Sequence, residues 1–193
     1  MLRTLMMTLL LTAAAPLWAI TVENVDVPEV VPATADSPEM TLRGASVRRV
    51  YGFVEVYVGA LYLKNSALED KEVIRVDDPR RMVFYVTSER VSARRFTNAI
   101  QEGLAINITT GEMAAMSERV NQLVSLFDHK FVEGTVGYIE WVPDLQESRI
   151  VIDDTVRGSV PGKDLNDALL KIWIGDHPVS ERFKEEVLGH RDS

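Results

Sequence analysis

Apolar and polar side chains alternate along the chain from residue 41 onward, as they do in β-strands. The runs LRGASVRRV and FVEVYVGALYL, rich in β-branched and aromatic residues, meet at Tyr51 and Gly52. Two such runs around a glycine-containing dipeptide predict a β-hairpin with a two-residue turn. Residues 81–87, which follow a turn at residues 77–79, predict another strand.

The second strand of this hairpin carries apolar side chains on both faces. One face is mixed and includes Glu55 and Tyr57. The other face carries only apolar side chains: Val54, Val56, Val58, Ala60 and Tyr62. A strand of this kind is buried on both sides. We therefore expect helices or a bound ligand to cover each face.

A period of 3.6 residues replaces the alternation after residue 92 and predicts helices. Ser92 is the predicted N-cap of the first helix, whose apolar stripe ends at Leu104. Thr109 and Glu112 form a capping-box pattern ahead of a longer helix that ends near Phe127. Two consecutive helices therefore follow the first strands.

The last third of the chain returns to alternation before it ends in helices. Three strands of a meander are predicted, at residues 136–142, 149–153 and 156–160. Asp164 is predicted to cap a helix over residues 165–174, and Ser180 to begin a short helix that ends at Gly189. This order of elements predicts an α+β fold, in which an antiparallel sheet carries helices on one side.

Residues 1–19 have the pattern of a secretory signal peptide. Arg3 precedes an apolar run at residues 5–15, Pro16 interrupts it, and Ala19 offers a small residue for cleavage. The run is too short to span a bilayer, which needs about 20 apolar residues. We expect export, cleavage after Ala19 and a periplasmic location, with no membrane span in the mature chain. Because no cysteine follows, no lipid anchor is expected.

A proline-rich segment separates the signal peptide from the regular elements. Residues 20–40 contain Pro28, Pro32 and Pro38 together with several acidic side chains. Proline is excluded from helix interiors and central strands, so this segment is predicted to be an extended arm. Residues 41–189 then form one domain, as a length of 193 residues favours.

Composition and charge narrow the classes of function. With 21 Lys and Arg against 29 Asp and Glu, the net charge is −8. This balance argues against a nucleic-acid partner, and against adsorption to anionic lipid by charge alone. The chain has no cysteine and only three scattered histidines, so we expect no metal site and no cofactor. Motifs of phosphate-binding loops, zinc proteases and esterases are also lacking. Nothing in the composition defines a protein partner.

Several cationic or titratable side chains are predicted to be structural or solvated rather than functional: Arg80, Arg81, Arg94, Arg95, His129, His177 and His190. Of these, His129 is expected at the end of a helix, where protonation is favoured by the helix dipole. The two arginine pairs are expected on the surface.

Arg48 is the arginine whose predicted position suggests a binding role. With a two-residue turn, Arg48 lies opposite Glu55 and diagonal to Tyr57 on the mixed face of the hairpin. A guanidinium and a phenol within common reach can together hold a small anion. Alternatively, Glu55 neutralises Arg48 across the two strands. The pattern alone leaves both possibilities open.

Two stretches of the sequence resemble the chalcone isomerase-like family. GASVR at residues 44–48, with FVEVYVGALYL at residues 53–63, is similar to the family's opening hairpin. LLKIWIGDHPVS at residues 169–180 is similar to its penultimate helix and the turn that follows. The resemblance extends over residues 40–189. It implies an open-faced β-sandwich, in which a layer of helices covers a large antiparallel sheet.

The resemblance also implies site residues. Arg48 matches the family arginine that binds a ligand's anionic oxygen or carboxylate. Tyr57 falls where fatty-acid-binding members carry a tyrosine and isomerases a threonine. The catalytic tyrosine of the isomerases corresponds to Phe96, their asparagine to Gly103, and their serine or threonine on the penultimate helix to Ile172. The anion-binding pair is therefore retained, whereas the donors that cyclisation needs are lost.

Three functions follow, in order of preference. The first is a non-catalytic binder of a fatty acid or similar amphiphilic carboxylate, with its head group on Arg48 and Tyr57 and its tail beside Phe96 and Ile172. The second is an intramolecular lyase or isomerase of the chalcone isomerase type, which the fold and Arg48 support. The third is an envelope structural or interaction protein without a ligand, in which Arg48 pairs with Glu55.

Overall fold

A computed structural model describes residues 18–89, 91–127 and 131–190. Residues 1–17 of the predicted signal peptide and His129 lie outside these ranges. The strands are β1 (Ala19–Val22), β2 (Val25–Pro28), β3 (Val30–Val31), β4 (Met40–Val50), β5 (Val54–Leu63), β6 (Arg80–Val86), β7 (Val136–Val142), β8 (Glu147–Ile152) and β9 (Thr155–Pro161). The helices are α1 (Asp70–Val73), α2 (Ala93–Asn107), α3 (Thr110–Ser125), α4 (Lys163–Ile174) and α5 (Glu181–Val187), with a single 3-10 turn at Pro143–Leu145.

Seven of these strands form one antiparallel sheet in the order β3-β4-β5-β6-β7-β8-β9. Strands β6 and β7 are neighbours in the sheet although α2 and α3 lie between them in sequence. The buried apolar residues of α2, α3, α4 and α5 share one hydrophobic core with one face of the sheet. The predicted α+β fold, a large antiparallel sheet under a layer of helices, is confirmed.

Side-chain caps begin three of the helices where the sequence predicts them. The Ser92 hydroxyl accepts a hydrogen bond from a main-chain N–H of α2, and the Ser180 hydroxyl accepts one from α5. Thr109 and Glu112 form the predicted capping box at the start of α3. Each cap satisfies an N–H that has no partner inside its helix.

The predicted cap of α4 is wrong. Gly162, with φ at +109°, precedes the helix, which begins at Lys163. Asp164 lies inside the first turn, and its carboxylate accepts two hydrogen bonds of 2.6 Å from the guanidinium of Arg119 on α3. The carboxylate of Asp164, which the sequence pattern predicted to cap α4, therefore pairs with Arg119 of α3 instead.

The N-terminal segment covers the face of the sheet opposite the helices. Strands β1 and β2 form a hairpin, and Val27 on β2 is fully buried in a second core that includes Val58. The Tyr62 hydroxyl donates a hydrogen bond of 2.8 Å to the main-chain oxygen of Pro28. The expectation that helices or a ligand cover both faces of β5 is therefore wrong for this face. The arm at residues 20–40 packs here instead.

Arg80 is buried rather than solvated, with 2% of its surface exposed. Its guanidinium donates to an amide and a carboxylate on α4, Asn166 Oδ1 at 2.9 Å and Asp167 Oδ1. It also donates to three main-chain oxygens at and after the end of α1: those of Val73, Ile74 and Val76. The prediction of a surface arginine is wrong, because partners far along the chain satisfy its donors.

Arg81 is also buried, with 7% of its surface exposed, so the prediction of a solvated pair is wrong for both residues. On the arm-covered face, Arg81 pairs across β6 and β7 with Glu140, 2.7 Å away. Its guanidinium carbon lies 4.1 Å from the centre of the Tyr138 ring, within the range of a cation–π interaction. The register of β7 against β6 brings this carboxylate opposite the arginine.

His190 pairs with a carboxylate, although it was predicted to be solvated. Its Nε2 lies 2.6 Å from Oδ2 of Asp70 at the start of α1, and this hydrogen bond raises the pKa of His190. His177 is exposed, as predicted. Across the described ranges, no His, Asp and Glu side chains gather as three or more metal ligands. No helix in these ranges is long and apolar enough to cross a membrane.

Candidate functional site

The turn between β4 and β5 determines how the candidate residues face each other. It contains three residues, 51–53, between the paired Val50 and Val54. The predicted two-residue turn is therefore wrong. The pattern could not distinguish the two lengths, because an aromatic residue such as Phe53 suits a strand as well as a turn. The register also shifts after Arg48, which places Arg48 directly opposite Tyr57.

Glu55 pairs with Arg49 and not with Arg48. Oε1 of Glu55 lies 2.9 Å from Nη2 of Arg49, which also contacts the carboxylate of Glu23 on the arm. The hydrogen bond from Glu55 raises the pKa of Arg49. The alternative in which Glu55 neutralises Arg48 is therefore wrong, since the three-residue turn places Glu55 opposite the neighbouring arginine.

The guanidinium of Arg48 keeps most of its donors available. Nη1 donates a hydrogen bond of 2.6 Å to the main-chain oxygen of Arg49. Within the described ranges, no carboxylate lies at ion-pair distance from Arg48. A guanidinium has five N–H donors and is permanently charged. A partly buried cation of this kind favours an anion beside it.

Arg48 and Tyr57 line a cavity of about 590 Å³ between the turn end of the β4–β5 hairpin, α2 and α4. The other two residues of the predicted site, Phe96 on α2 and Ile172 on α4, line the same cavity. The structure thus brings all four together. Most of the remaining wall is apolar and includes Val54, Val56, Val91, Ala99, Ile100 and Val179.

Tyr57 offers a neutral hydroxyl at the inner end of the cavity. Its ring is 7% exposed, and its oxygen accepts a hydrogen bond of 3.0 Å from Nε1 of Trp173. In the described part of the chain this hydroxyl has no acceptor for its own proton. Burial raises the pKa of Tyr57 to about 12, so the phenol stays protonated at neutral pH. The hydroxyl can therefore donate a hydrogen bond into the cavity.

Phe96, together with Tyr57 and Val91, lies between this cavity and a smaller void. The void, of about 10 Å³, lies between the sheet and the helices and is lined by Phe84, Phe127 and Phe131 as well as Phe96. The Phe96 ring centre lies 5.2–5.3 Å from those of the other three rings. Phe96 thus sits where the cavity would otherwise continue into the core.

Close packing of α2 and α4 shapes the opposite wall. A Cβ atom at Gly103 would lie only 2.8 Å from Cγ2 of Ile172, so a larger residue would push the helices apart. Gly103 has no side chain, and Ile172 has an alkyl side chain. Neither donates a hydrogen bond into the cavity.

Arg95 is a cavity residue that the sequence pattern assigned to the surface. It is exposed on the first turn of α2, yet it lines the mouth of the cavity. Its predicted exposure is confirmed, but its position at the cavity was not predicted. Residues 95, 96, 99 and 100 line the cavity together, as neighbours on one helical face do. The position of Arg95 at the edge of the apolar face of α2 was therefore the sequence signal that could have identified it as a cavity residue.

The polar groups around the cavity suit anion binding. Arg48 and Arg95 are cations, while Tyr57 and Ser88 carry hydroxyl groups. Among the described residues that line the cavity there is no carboxylate and no imidazole. An anion is therefore favoured over a cation, and an apolar tail attached to it finds apolar walls.

Comparisons with known proteins identify the family. The model of the chalcone isomerase-like family matches residues 19–189. No curated protein sequence matches the chain. Among solved structures, the crystal structure of the fatty-acid binding protein AtFAP1 of Arabidopsis thaliana superimposes with a TM-score of 0.66 at 17% identity. The match covers 86% of this chain and 92% of that one, and at this identity it shows a common fold. The chain belongs to the chalcone isomerase-like family.

Proposed function

We propose that this protein binds a fatty acid, or a similar amphiphilic carboxylate, without transforming it. The carboxylate lies against Arg48 and Tyr57, and the alkyl chain lies between the sheet and the helices beside Phe96 and Ile172. The observation that carries the proposal is the cavity itself. It combines apolar walls with a guanidinium that, within the described ranges, has no carboxylate partner.

Arg48 and Tyr57 recognise the carboxylate head group by the charge of the guanidinium and by the direction of their hydrogen bonds. The fork of Arg48 can donate two parallel hydrogen bonds to a carboxylate, which is stronger than a bond between neutral groups. Tyr57, directly opposite on β5, adds a neutral donor. Because the Tyr57 pKa is about 12, the phenol does not compete with the ligand as a second negative charge.

The tail contributes most of the binding free energy. A cavity of about 590 Å³ lies within the roughly 300–1,000 Å³ typical of small-molecule sites. Each buried methylene contributes about 0.8 kcal/mol, so a chain of moderate length outweighs the head group. The tail thus provides the affinity and Arg48 orients the carboxylate, as expected of a carrier of amphiphilic acids.

A cyclising isomerase is the less favoured function for this cavity. Closing a ring between a phenolate and an unsaturated ketone needs donors that hold both reacting groups. Phe96 and Ile172 offer hydrocarbon at two positions where the resemblance implies such donors. Faster cyclisation of a chalcone than in buffer, abolished by Arg48→Ala, would support the isomerase instead.

Export to the periplasm is part of the proposal. It rests on the pattern of residues 1–19, a single cation, a short apolar run, Pro16 and a small residue at position 19. A protein exported into an aqueous compartment can hold a water-insoluble acid in a cavity shielded from solvent. The signal pattern and the cavity support the proposal independently.

Native mass spectrometry of the gently purified full chain tests this function. We expect part of the protein to carry added mass equal to that of one fatty acid, because the cavity is preformed and apolar. Spectra under denaturing conditions are the control, since a non-covalent ligand is then lost. A protein that is free of ligand, and that also takes up no added palmitate or laurate, would rule out the proposal.

Phe96 is expected to limit the length of the bound tail. Phe96→Leu keeps the wall apolar but removes the ring that separates the cavity from the inner void. The optimum in a series of saturated fatty acids should shift toward longer chains, each extra buried methylene adding about fourfold in affinity. Competition against a fluorescent fatty acid measures this shift.

Phe131→Leu is the matched control, because Phe131 lines the inner void but not the main cavity. It enlarges the void behind an intact Phe96, so the preferred chain length should stay that of the wild type. An unchanged optimum in Phe96→Leu, or an equal shift in both variants, would show that Phe96 does not end the cavity.

A further inference from the structure

The tip of the β4–β5 hairpin exposes two large aromatic side chains at the mouth of the cavity. Tyr51 is 88% exposed and Phe53 is 78% exposed, and both line the cavity where it opens to solvent. Neither ring contributes much to the buried core. The hairpin tip, residues 51–53, therefore presents a small apolar surface beside the proposed binding site.

Neither the turn nor the packing requires aromatic residues at this tip. Tyr51 has φ at 53° and Gly52 has φ at 79°, both in the left-handed region. Glycine, asparagine and aspartate adopt that region most easily, whereas an aromatic residue there is strained. Strained and exposed apolar residues concentrate at functional sites, which points to contact with a partner.

The charges near the tip favour a phospholipid surface as that partner. Arg48 and Arg95 line the cavity behind the two rings. Arg49 is already neutralised by Glu23 and Glu55. The tip thus combines aromatic rings with nearby cations on a chain whose net charge is −8. Aromatic rings and arginines favour the headgroup region of a bilayer.

We propose that the hairpin tip inserts Tyr51 and Phe53 into the interface of a phospholipid bilayer and so holds the cavity mouth against the membrane. A fatty acid then passes between bilayer and cavity without crossing bulk water. The purpose of this contact rests on the proposed function, but the contact itself rests on the exposed rings. The acidic remainder of the chain is repelled by anionic lipid, so the contact is reversible.

Flotation of the ligand-free chain with vesicles tests the membrane contact. The chain used starts at Ile20, because the apolar run of the predicted signal peptide would itself bind lipid. The vesicles contain phosphatidylcholine and phosphatidylglycerol in equal parts. We expect the wild type to float with them. The double variant with Tyr51→Ser and Phe53→Ser should bind about tenfold less, because both interfacial rings are removed. Ile106→Ser is the matched control, since Ile106 is an exposed apolar residue on α2 that does not line this cavity.

Fluorescence quenching measures directly how deeply the hairpin tip enters the bilayer. Tyr51→Trp adds an indole at the tip, and lipids brominated on their acyl chains quench a tryptophan that enters the bilayer. We expect these vesicles to quench the added emission. Trp141 and Trp173, which remain after the predicted cleavage, provide the baseline for that comparison.

Several outcomes would overturn the membrane contact. They are a wild type that does not float, a double variant that floats as well as the wild type, and an added indole that is not quenched. A wild-type dimer in solution that becomes a monomer in the double variant would assign the tip to a second copy of the chain instead. Native mass spectrometry of protein that has not been mixed with vesicles tests fatty-acid binding separately from the membrane contact.

Discussion

Arg48→Ala is expected to lower the affinity for a fatty acid about tenfold to a hundredfold, because hydrogen bonds to a charged group contribute about 1.5–3 kcal/mol. The melting temperature should stay close to that of the wild type. The protein hydrogen bond that the variant loses runs from Nη1 to the main-chain oxygen of Arg49. Isothermal titration with laurate and a thermal melt measure the two quantities.

Comparison with a fatty alcohol of the same length isolates the head group. The wild type should prefer the acid, whereas Arg48→Ala should bind acid and alcohol with similar affinity. This design is a double-mutant cycle in which one change is made on the ligand. Arg48→Lys keeps the charge but loses the planar fork, so its preference for the acid should be intermediate.

Arg49→Ala is the matched control for this site. Arg49 is adjacent in sequence, but it pairs with Glu23 and Glu55 and does not line the cavity. Its removal should change ligand affinity by less than about twofold, because Arg49 does not contact the cavity. An equal loss of affinity in both variants, or a loss of stability without a loss of affinity in Arg48→Ala, would contradict the proposed role of Arg48.

Arg80→Met is expected to cause the largest loss of stability, about 3–5 kcal/mol, because it removes one partner from a buried polar network. The variant leaves Asn166 Oδ1 and the main-chain oxygens of Val73 and Val76 without this donor. The main-chain oxygen of Ile74 keeps only a longer contact, 3.4 Å from Nζ of Lys163. Asp167 keeps only its contact with Lys163, 2.6 Å away. For a domain of this size the melting temperature should fall by roughly 6–20 °C. Urea unfolding measures the difference in free energy.

Arg75→Met is the control for this substitution. Arg75 is exposed just after α1, so its replacement should change stability by less than about 0.5 kcal/mol. The shorter reach of lysine to these acceptors makes Arg80→Lys nearly as unstable as Arg80→Met. A cost below about 1 kcal/mol for Arg80→Met would show that the network does not hold α1 and α4 to the sheet.

The network lies at the opposite end of the sheet from the cavity. Arg80 pairs with Leu63 at the end of β5, whereas Tyr57 lies near its beginning. The stability variants and the binding variants therefore probe separate parts of the molecule. Among folded molecules of Arg80→Met, the affinity for laurate should match that of the wild type.

The secondary structure follows almost entirely from local pattern. Alternation marks β4 to β9, the 3.6-residue period marks α2 to α4, and Ser92, Thr109 and Ser180 are confirmed as caps. These signals act over a few residues, so the sequence displays them directly. The arm was predicted as extended, with room for an early edge strand, but its β1–β2 hairpin was not predicted. The short helix α1 was also not predicted, because it is only four residues long.

The sequence identified the residues of the candidate site but not how they face each other. Arg48, Tyr57, Phe96 and Ile172 were assigned from the family resemblance, and the structure places all four around one cavity. What they bind stays a proposal. The spacing put Arg48 opposite Glu55, whereas a longer turn and a register shift put it opposite Tyr57. A change of one residue in a turn reverses which side chains meet, and residue types alone do not specify it.

The sequence by itself determined the element order, the α+β class, the absence of thiol chemistry and the apolar character of both faces of β5. Only the tertiary structure decided which charges are buried and which are free. Arg80 meets Asn166 from 86 residues away, Arg81 meets Glu140 from 59 residues away, and the arm, not a second helical layer, covers the far face. The reason is physical: periodicity is a property of neighbours along the chain, whereas the desolvation of a charge depends on groups that only folding brings beside it.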